Sequence, residues 1–133
     1  MWGNTIVGNN KKVLVIDDDA QIRRVVEFKL RKRGYQVLMA MNGAEGLQAI
    51  ESEQPDAVVT DIMMPKLDGE TLCKQTNHLK KQRPFLTIVM TNRISPDDRH
   101  WVKDMQDTQL MEKPFSPTRL LGCIDEYFHR SES

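Results

Sequence analysis

Residues 12–19 read KVLVIDDD, a continuous apolar run that ends in three aspartates. Such a run, rich in β-branched residues and without polar alternation, is typical of a strand that is buried on both faces in a parallel sheet. Residues 57–60 repeat the pattern and are followed at once by Asp61. We therefore predict buried parallel strands whose carboxyl ends carry acidic side chains.

The same alternation extends along the rest of the chain. Strands are predicted over residues 12–16, 36–40, 57–60, 85–90 and 109–112. Between these strands, apolar residues recur at helical spacing. The first helix is predicted to end at Gly34, and the next two to cover residues 44–52 and 70–80. The last two are predicted to begin at Ser95-Pro96 and Ser116-Pro117. Five strands alternating with five helices predict an α/β fold with βαβ crossovers and helices on both faces of the sheet.

Composition excludes several classes of protein. A chain of 133 residues is the length of one domain, and its 19 basic and 19 acidic residues argue against binding nucleic acid or a membrane by bulk charge. No apolar run approaches the roughly 20 residues that span a bilayer. The two cysteines and three histidines lie far apart in sequence, which disfavours a disulfide scaffold or a zinc site and favours a cytoplasmic protein. Residues 1–10 are interpreted as a flexible leader and residues 11–130 as the domain.

Polar side chains at the predicted strand ends form one constellation. Asp17 and Asp18 follow the first strand, Asp61 the third, Thr91 the fourth and Lys113 the fifth. In a parallel sheet these ends meet at one edge. Converging carboxylates repel one another, and oxygen ligands without histidine or cysteine favour Mg²⁺. An aspartate can also act as a nucleophile toward phosphorus, with a lysine and a threonine holding the phosphoryl oxygens.

Four segments resemble the chemotaxis-type receiver domain of two-component response regulators: KVLVIDDDAQIRR at 12–24, VVTDIMMPKLDG at 58–69, IVMT at 88–91 and EKPF at 112–115. The resemblance covers nearly the whole of residues 11–130. It implies a doubly wound, flavodoxin-like, five-stranded parallel sheet of order 2-1-3-4-5 with five helices in a three-layer sandwich.

The resemblance also implies roles for individual residues. Asp61 is the expected phosphoacceptor. Asp17, Asp18, Asp61 and the backbone carbonyl of Met63 are the expected ligands of Mg²⁺ (or Mn²⁺). Thr91 and Lys113 are expected to contact the phosphoryl group. Four further residues are expected to shape the surrounding loops, namely Pro65, Asp68, Gly69 and Pro114.

A signalling function follows from the resemblance. It implies that a histidine kinase or histidine phosphotransfer protein supplies the phosphoryl group, and that the chain catalyses only its own phosphorylation and dephosphorylation. The surface formed by helix 4, strand 5 and helix 5 is expected to change conformation and bind a downstream protein. We expect a monomer or a phosphorylation-dependent dimer. Only three residues follow residue 130, so we expect a stand-alone regulator or a receiver taken from a longer chain, with no DNA binding by this chain.

Several positions depart from the family pattern. Leu110 stands where the family usually has an aromatic residue that moves on activation. Either the switch uses other residues, or the output is weaker or different, or Leu110 simply fills the strand's inner pocket. Asn92 stands where the family has a small residue, and it is expected to narrow access of the phosphodonor. Met63 and Arg93 stand where members of the family tune the rate of hydrolysis, so we expect these two residues to alter the lifetime of the phosphoryl group. Residues 106–107 are Gln-Asp in place of the usual Gly-Ala, which predicts a differently built loop.

Two alternative functions remain open at this point. The first is a receiver-fold binding module whose signalling is largely independent of phosphorylation. The departures from the family pattern at Leu110 and Asn92 are compatible with this function. The second is a flavodoxin-like enzyme that binds FMN. Such an enzyme needs a Ser/Thr/Gly-rich phosphate loop after the first strand, where residues 17–19 would instead repel a phosphate.

Overall fold

Five parallel strands form a single sheet in the order β2-β1-β3-β4-β5. The computed structural model describes residues 10–64, 66–113 and 116–132, so that all but the last residue of the predicted leader lies outside the described residues. The strands are β1 Lys12–Ile16, β2 Gln36–Ala40, β3 Ala57–Asp61, β4 Leu86–Thr91 and β5 Thr108–Glu112. The predicted strand order is confirmed, and each observed strand boundary lies within one residue of its prediction.

Helices cover both faces of this sheet, as predicted. They are α1 Ala20–Lys32, α2 Gly43–Glu53, α3 Gly69–Thr76, α4 Pro96–Val102 and α5 Pro117–Glu132, with a 3₁₀ helix over Asn77–Lys81. Along β1, Val13 and Val15 face a core shared with α1 and α5, whereas Leu14 and Ile16 face a core shared with α2 and α3. Among the described helices, none has the length and apolar character needed to cross a lipid bilayer.

Side-chain caps place the helix starts directly after the strand ends. The third aspartate of the acidic run, Asp19, accepts hydrogen bonds from the amides of Gln21 and Ile22 and so begins α1. Ser95 and Asp98 form a reciprocal capping box that begins α4, as the sequence predicts. Gly34 has a φ of 93°, the left-handed conformation that ends α1. The side-chain caps of α1 and α4 therefore fix where these helices begin after β1 and β4.

The prediction of one helix over residues 70–80 is wrong. The α-helix ends at Thr76, and the chain continues as a 3₁₀ helix over Asn77–Lys81. The cause is tertiary, because the tighter turns let two residues reach the loop before β5. The Asn77 side chain accepts the amide hydrogen of Gln106 at 2.9 Å, and Lys80 turns inward toward the same loop.

Lys80 is a buried lysine that holds the loop before β5. Its side chain is 2% exposed, and Nζ donates to the carbonyls of Gln106 at 2.6 Å and Asp107 at 3.2 Å and to Oγ1 of Thr108 at 3.1 Å. Nζ also lies 4.7 Å from the ring centroid of Phe85. Residues 106–107, which depart from the usual Gly-Ala, are therefore built around this lysine. Burial lowers the pKa of Lys80 to about 8.

Lys80 is expected to make stability rise with pH in mildly alkaline solution. Between its native pKa of about 8 and the ordinary value of 10.5, the unfolded chain binds a proton that the native protein has released. The free energy of unfolding, relative to that of a Lys80→Met variant, should then rise by up to about 1.4 kcal/mol per pH unit in this range. Urea titrations of both proteins across the range measure the difference.

The comparison with Lys80→Met isolates Lys80 from the neighbouring groups. Burial also raises the pKa of the Cys73 thiol, from the ordinary 9.0 to about 12, so above pH 9 the unfolded chain has released a proton that the native thiol keeps. This lowers the free energy of unfolding as pH rises, but it does so in both proteins, and the difference between them reports on Lys80. Parallel pH dependence of the two proteins would contradict the prediction.

Candidate functional site

The strand ends bring the predicted constellation to one edge of the sheet. Asp61 and Thr91 are the last residues of β3 and β4, while Asp17 and Lys113 directly follow β1 and β5. Backbone hydrogen bonds continue past the strands at this edge, since the amide of Ile62 donates to Met90 at 2.9 Å and the amide of Lys113 donates to Thr91 at 2.7 Å. Backbone hydrogen bonds therefore fix the positions of the residues that carry the site's side chains.

Three carboxylates form an acidic cluster at this edge. Asp17, Asp18 and Asp61 each offer an oxygen, and these oxygens lie within 4.8 Å of one another. Asp17 is fully buried, Asp61 is 8% exposed and Asp18 is exposed. A cation that binds here is thus surrounded by protein on one side and open to solvent on the other.

The buried carboxylate of Asp17 is only partly satisfied. Its Oδ1 accepts the amide hydrogen of Asp19 at 2.9 Å, but Oδ2 accepts no hydrogen bond from the described residues. Burial raises the pKa of Asp17, with the Asp61 and Asp18 charges adding to the shift. A buried carboxylate oxygen without a hydrogen bond from the described residues, in a cluster of hard oxygen donors, fits a Mg²⁺ or Mn²⁺ ion, which would relieve the repulsion and coordinate that oxygen.

Lys113 supplies the positive charge of the site. Its Nζ lies 3.0 Å from Oδ2 of Asp61, to which it donates a hydrogen bond, and 3.7 Å from Oδ2 of Asp17. Burial opposes the charge of this lysine, but the hydrogen bond to Asp61 and the charges of both aspartates raise its pKa above the ordinary value. The ammonium group therefore stays charged at neutral pH and stands beside the Asp61 oxygen.

The hydroxyl of Thr91 is engaged within its own loop. Its Oγ1 donates to the carbonyl of Arg93 at 3.2 Å and receives the Arg93 amide at 3.4 Å. The next amide, that of Ile94, donates to a carboxylate oxygen of Glu112 at 2.8 Å. The loop from Thr91 to Ser95 is thus closed by short local bonds and by one contact to the end of β5.

The loop after β3 packs tightly beneath Asp61. A side chain at Gly69 would place its Cβ 2.7 Å from the Asp61 carbonyl oxygen, so this close approach requires glycine. Asp68 caps α3 by accepting the amide of Thr71 at 2.8 Å. The amide of Met63 lies 3.4 Å from Oδ1 of Asp61, and the Met63 side chain is 76% exposed. Two of the loop-shaping positions, Pro65 and Pro114, lie outside the described residues.

The positions that depart from the family pattern surround this edge. Leu110 is half-buried and packs against a cluster that includes Val89 and Trp101. Asn92 and Arg93, which directly follow Thr91, are both exposed. Leu110 therefore occupies an apolar site next to α4, and the two exposed residues lie in the loop that follows Thr91.

Sequence reasoning did not identify two residues that support the site. Arg23, on α1, donates to the backbone carbonyl of Asp17 at 2.6 Å and so fixes the turn that carries the acidic run. The sequence offers one indication of this role, namely that Arg23 is a basic residue in the first turn of the helix that follows the aspartates. Glu112 reaches Ile94 across 18 residues of sequence, a contact that only the pairing of β4 with β5 creates.

Comparisons with a family model and with curated proteins identify the same family. Residues 13–125 match the family described as the response regulator receiver domain. The chain is 37% identical over 123 residues to the alkaline phosphatase synthesis transcriptional regulatory protein PhoP of Bacillus subtilis, covering 92% of this chain and 50% of that protein. It is 39% identical over 120 residues to the response regulator MprA of Mycolicibacterium vanbaalenii, covering 90% of this chain and 51% of that protein. The chain thus spans about half the length of these relatives.

Solved structures agree with the sequence comparison. A CheY-like response regulator receiver domain protein from Methanospirillum hungatei superposes with a TM-score of 0.84 at 29% identity, covering 93% of this chain and 98% of that chain. The receiver domain of a Francisella response regulator gives a TM-score of 0.80 at 31% identity, covering 92% and 99%. With the matched family extending over most of the described sheet and helices, this chain belongs to the response regulator receiver domain family.

Proposed function

We propose that this chain accepts a phosphoryl group on Asp61 in a reaction that depends on Mg²⁺ (or Mn²⁺), and that it signals by a change of conformation. One observation carries the proposal. The nearly buried carboxylate of Asp61 stands 3.0 Å from the Lys113 ammonium and shares a cluster with Asp17 and Asp18. A nucleophile, a cation site and a fixed positive charge are what phosphoryl transfer to a carboxylate requires.

The chain's own residues have distinct roles in this reaction. An oxygen of Asp61 attacks phosphorus, the phosphorus–nitrogen bond of a phosphohistidine breaks, and the imidazole leaves with the electron pair. Lys113 stabilises negative charge on the transferred oxygens. Asp17, Asp18, Asp61 and the Met63 carbonyl are the proposed ligands of the divalent cation, which when bound neutralises charge between the carboxylates and the phosphoryl oxygens. Hydrolysis of the acyl phosphate by water later restores Asp61.

Thr91 is the proposed link to the signalling surface. When a phosphoryl group is present, its hydroxyl leaves the backbone of Arg93 and binds a phosphoryl oxygen. The loop that follows carries α4, so this movement biases the surface of α4, β5 and α5 between two arrangements. Leu110, which packs beside Trp101, fills the position of the usual aromatic, and α4 itself is therefore the proposed moving part.

Partners follow from the same proposal. A histidine kinase or a histidine phosphotransfer protein supplies the phosphoryl group in the cytoplasm, and a downstream protein binds the α4–β5–α5 surface. We infer that Asn92, Arg93 and Met63, exposed around the site, influence access and the lifetime of the phosphoryl group. The chain is a signalling phosphoacceptor that acts as a monomer or a phosphorylation-dependent dimer and contacts no nucleic acid itself.

The direct test uses small phosphodonors, which need no partner protein. Incubation with acetyl phosphate and Mg²⁺ should add the mass of one phosphoryl group, and peptide mapping should locate it on Asp61. Beryllofluoride with Mg²⁺ should bind the same site and alter Trp101 fluorescence in a Trp2→Phe background. The absence of both modification and fluorescence change, in protein that is folded by circular dichroism, would contradict the proposal.

The second candidate is a binding module whose signalling is largely independent of phosphorylation. The local engagement of the Thr91 hydroxyl and the replacement of the usual aromatic by Leu110 favour it. Under this alternative, the amide chemical shifts of α4, β5 and α5 stay unchanged whether or not Asp61 accepts a phosphoryl group. Nuclear magnetic resonance spectra with and without beryllofluoride therefore separate the two functions.

A further inference from the structure

The loop between β4 and α4 is tied to β5 by a side chain with no role in the proposed chemistry. Glu112 is the register partner of Thr91 in the sheet and immediately precedes Lys113. Its carboxylate accepts the amide hydrogen of Ile94 at 2.8 Å. We propose that Glu112 is a positioning residue that latches this loop in the unphosphorylated arrangement and so opposes the movement of Thr91.

Hydrogen bonds on neighbouring residues run along this loop. The Thr91 hydroxyl spans to Arg93, the Ile94 amide is held by Glu112, and the Ser95 hydroxyl accepts the amide of Asp98 at 3.0 Å. Between the end of β4 and the start of α4, hydrogen bonds therefore involve Thr91, Arg93, Ile94 and Ser95. Movement of Thr91 away from the Arg93 carbonyl pulls on the backbone that Glu112 anchors.

The position of Glu112 makes it suited to this task. Its backbone lies in β5, where the pairing of Thr91 with Glu112 and the bond from the Lys113 amide to the Thr91 carbonyl hold it rigidly. The carboxylate thus acts from a fixed base on a loop that must move. A hydrogen bond that is made in only one of two arrangements stabilises that arrangement by the free energy of the bond. If the Glu112 bond is made only in the unphosphorylated arrangement, removal of the carboxylate shifts the population toward the phosphorylated one.

The inference rests on the proposed function and concerns its regulation. Its measurable consequence is affinity for beryllofluoride, which stands in for the phosphoryl group on Asp61. Trp101 is a suitable reporter, because its Nε1 donates to the Asp98 carboxylate at 3.3 Å and the same carboxylate accepts the Ser95 amide at 3.0 Å. A change in the loop is therefore passed directly to the indole.

The test titrates beryllofluoride, at saturating Mg²⁺, into a Trp2→Phe protein and its Glu112→Ala and Glu112→Gln variants. Loss of one hydrogen bond to an exposed carboxylate should raise the apparent affinity of Glu112→Ala by about threefold to tenfold. Glu112→Gln keeps an oxygen acceptor, so its affinity for beryllofluoride should lie between those of the parent protein and Glu112→Ala. Glu51→Ala removes an exposed glutamate on α2 and serves as the matched control, with unchanged affinity.

Each outcome has a distinct meaning. Equal or weaker binding by Glu112→Ala, with normal binding by the parent protein, would overturn the latch and leave the proposed function intact. A role in stability alone would lower the melting temperature of Glu112→Ala without raising its affinity, which also overturns the latch. Absence of binding by the folded parent protein would overturn the proposed function and the latch together.

Discussion

Asp61→Asn is expected to abolish phosphorylation by acetyl phosphate. The substitution keeps the shape of the side chain but replaces a charged nucleophile with an amide whose nitrogen lone pair is delocalised. It also removes one of the three carboxylates in the cluster and the partner that Lys113 contacts at 3.0 Å. Incorporation measured by intact-protein mass should fall to zero, since nucleophile and cation site are weakened together.

The control for this substitution is Asp104→Asn. Asp104 is an exposed aspartate in the turn that follows α4, so its loss tests whether any removal of negative charge affects labelling. We expect wild-type incorporation in this variant. Full incorporation by Asp61→Asn would mean that another carboxylate accepts the phosphoryl group and would refute the assignment.

Gly43→Ala is expected to be strongly destabilising. Gly43 is the first residue of α2, and a Cβ there would lie 1.8 Å from the carbonyl oxygen of Leu67. The obstructing atom belongs to the backbone of the loop after β3, so it cannot move aside as a flexible side chain would. We expect a loss of about 3 kcal/mol in the free energy of unfolding, measured by urea titration.

Gly122→Ala is the matched substitution at an open position. Gly122 lies within α5, and no atom of the described residues lies within 4 Å of the Cβ that alanine would add. Alanine should therefore stabilise the protein by about 0.5–1 kcal/mol through its higher helix propensity. Similar effects of the two substitutions would contradict the close approach of α2 to the loop after β3.

Much of the fold and the candidate site follows from local patterns. The apolar run before Asp17 and its repeat before Asp61 predict buried parallel strands. A strand that is buried on both faces is apolar throughout and lacks the alternation of polar and apolar residues. Parallel strands end at the same edge, so the acids gather there once the topology is known. The serine and proline that begin α4 predict its start for an equally local reason.

Other features escape prediction because they depend on contacts between distant segments. The 3₁₀ turn over Asn77–Lys81 exists because Lys80 reaches the Gln106 carbonyl, 26 residues away in sequence. Nothing in the composition of residues 70–80 distinguishes an exposed lysine from a buried one. Likewise, Glu112 has no signature of its own until β5 pairs with β4 and brings it to the Ile94 amide.

The amino-acid order alone therefore determines the class of fold, the parallel strands and the identity of the acids and the lysine at their ends. These depend on periodicity, capping and covalent neighbours, which act over a few residues. Tertiary structure alone decides the state of the site: the Asp17 oxygen that accepts no hydrogen bond from the described residues, the 3.0 Å contact of Lys113 with Asp61, and the Thr91 hydroxyl held by Arg93. Burial and electrostatic contact depend on distance in space, and only the folded sheet sets that distance.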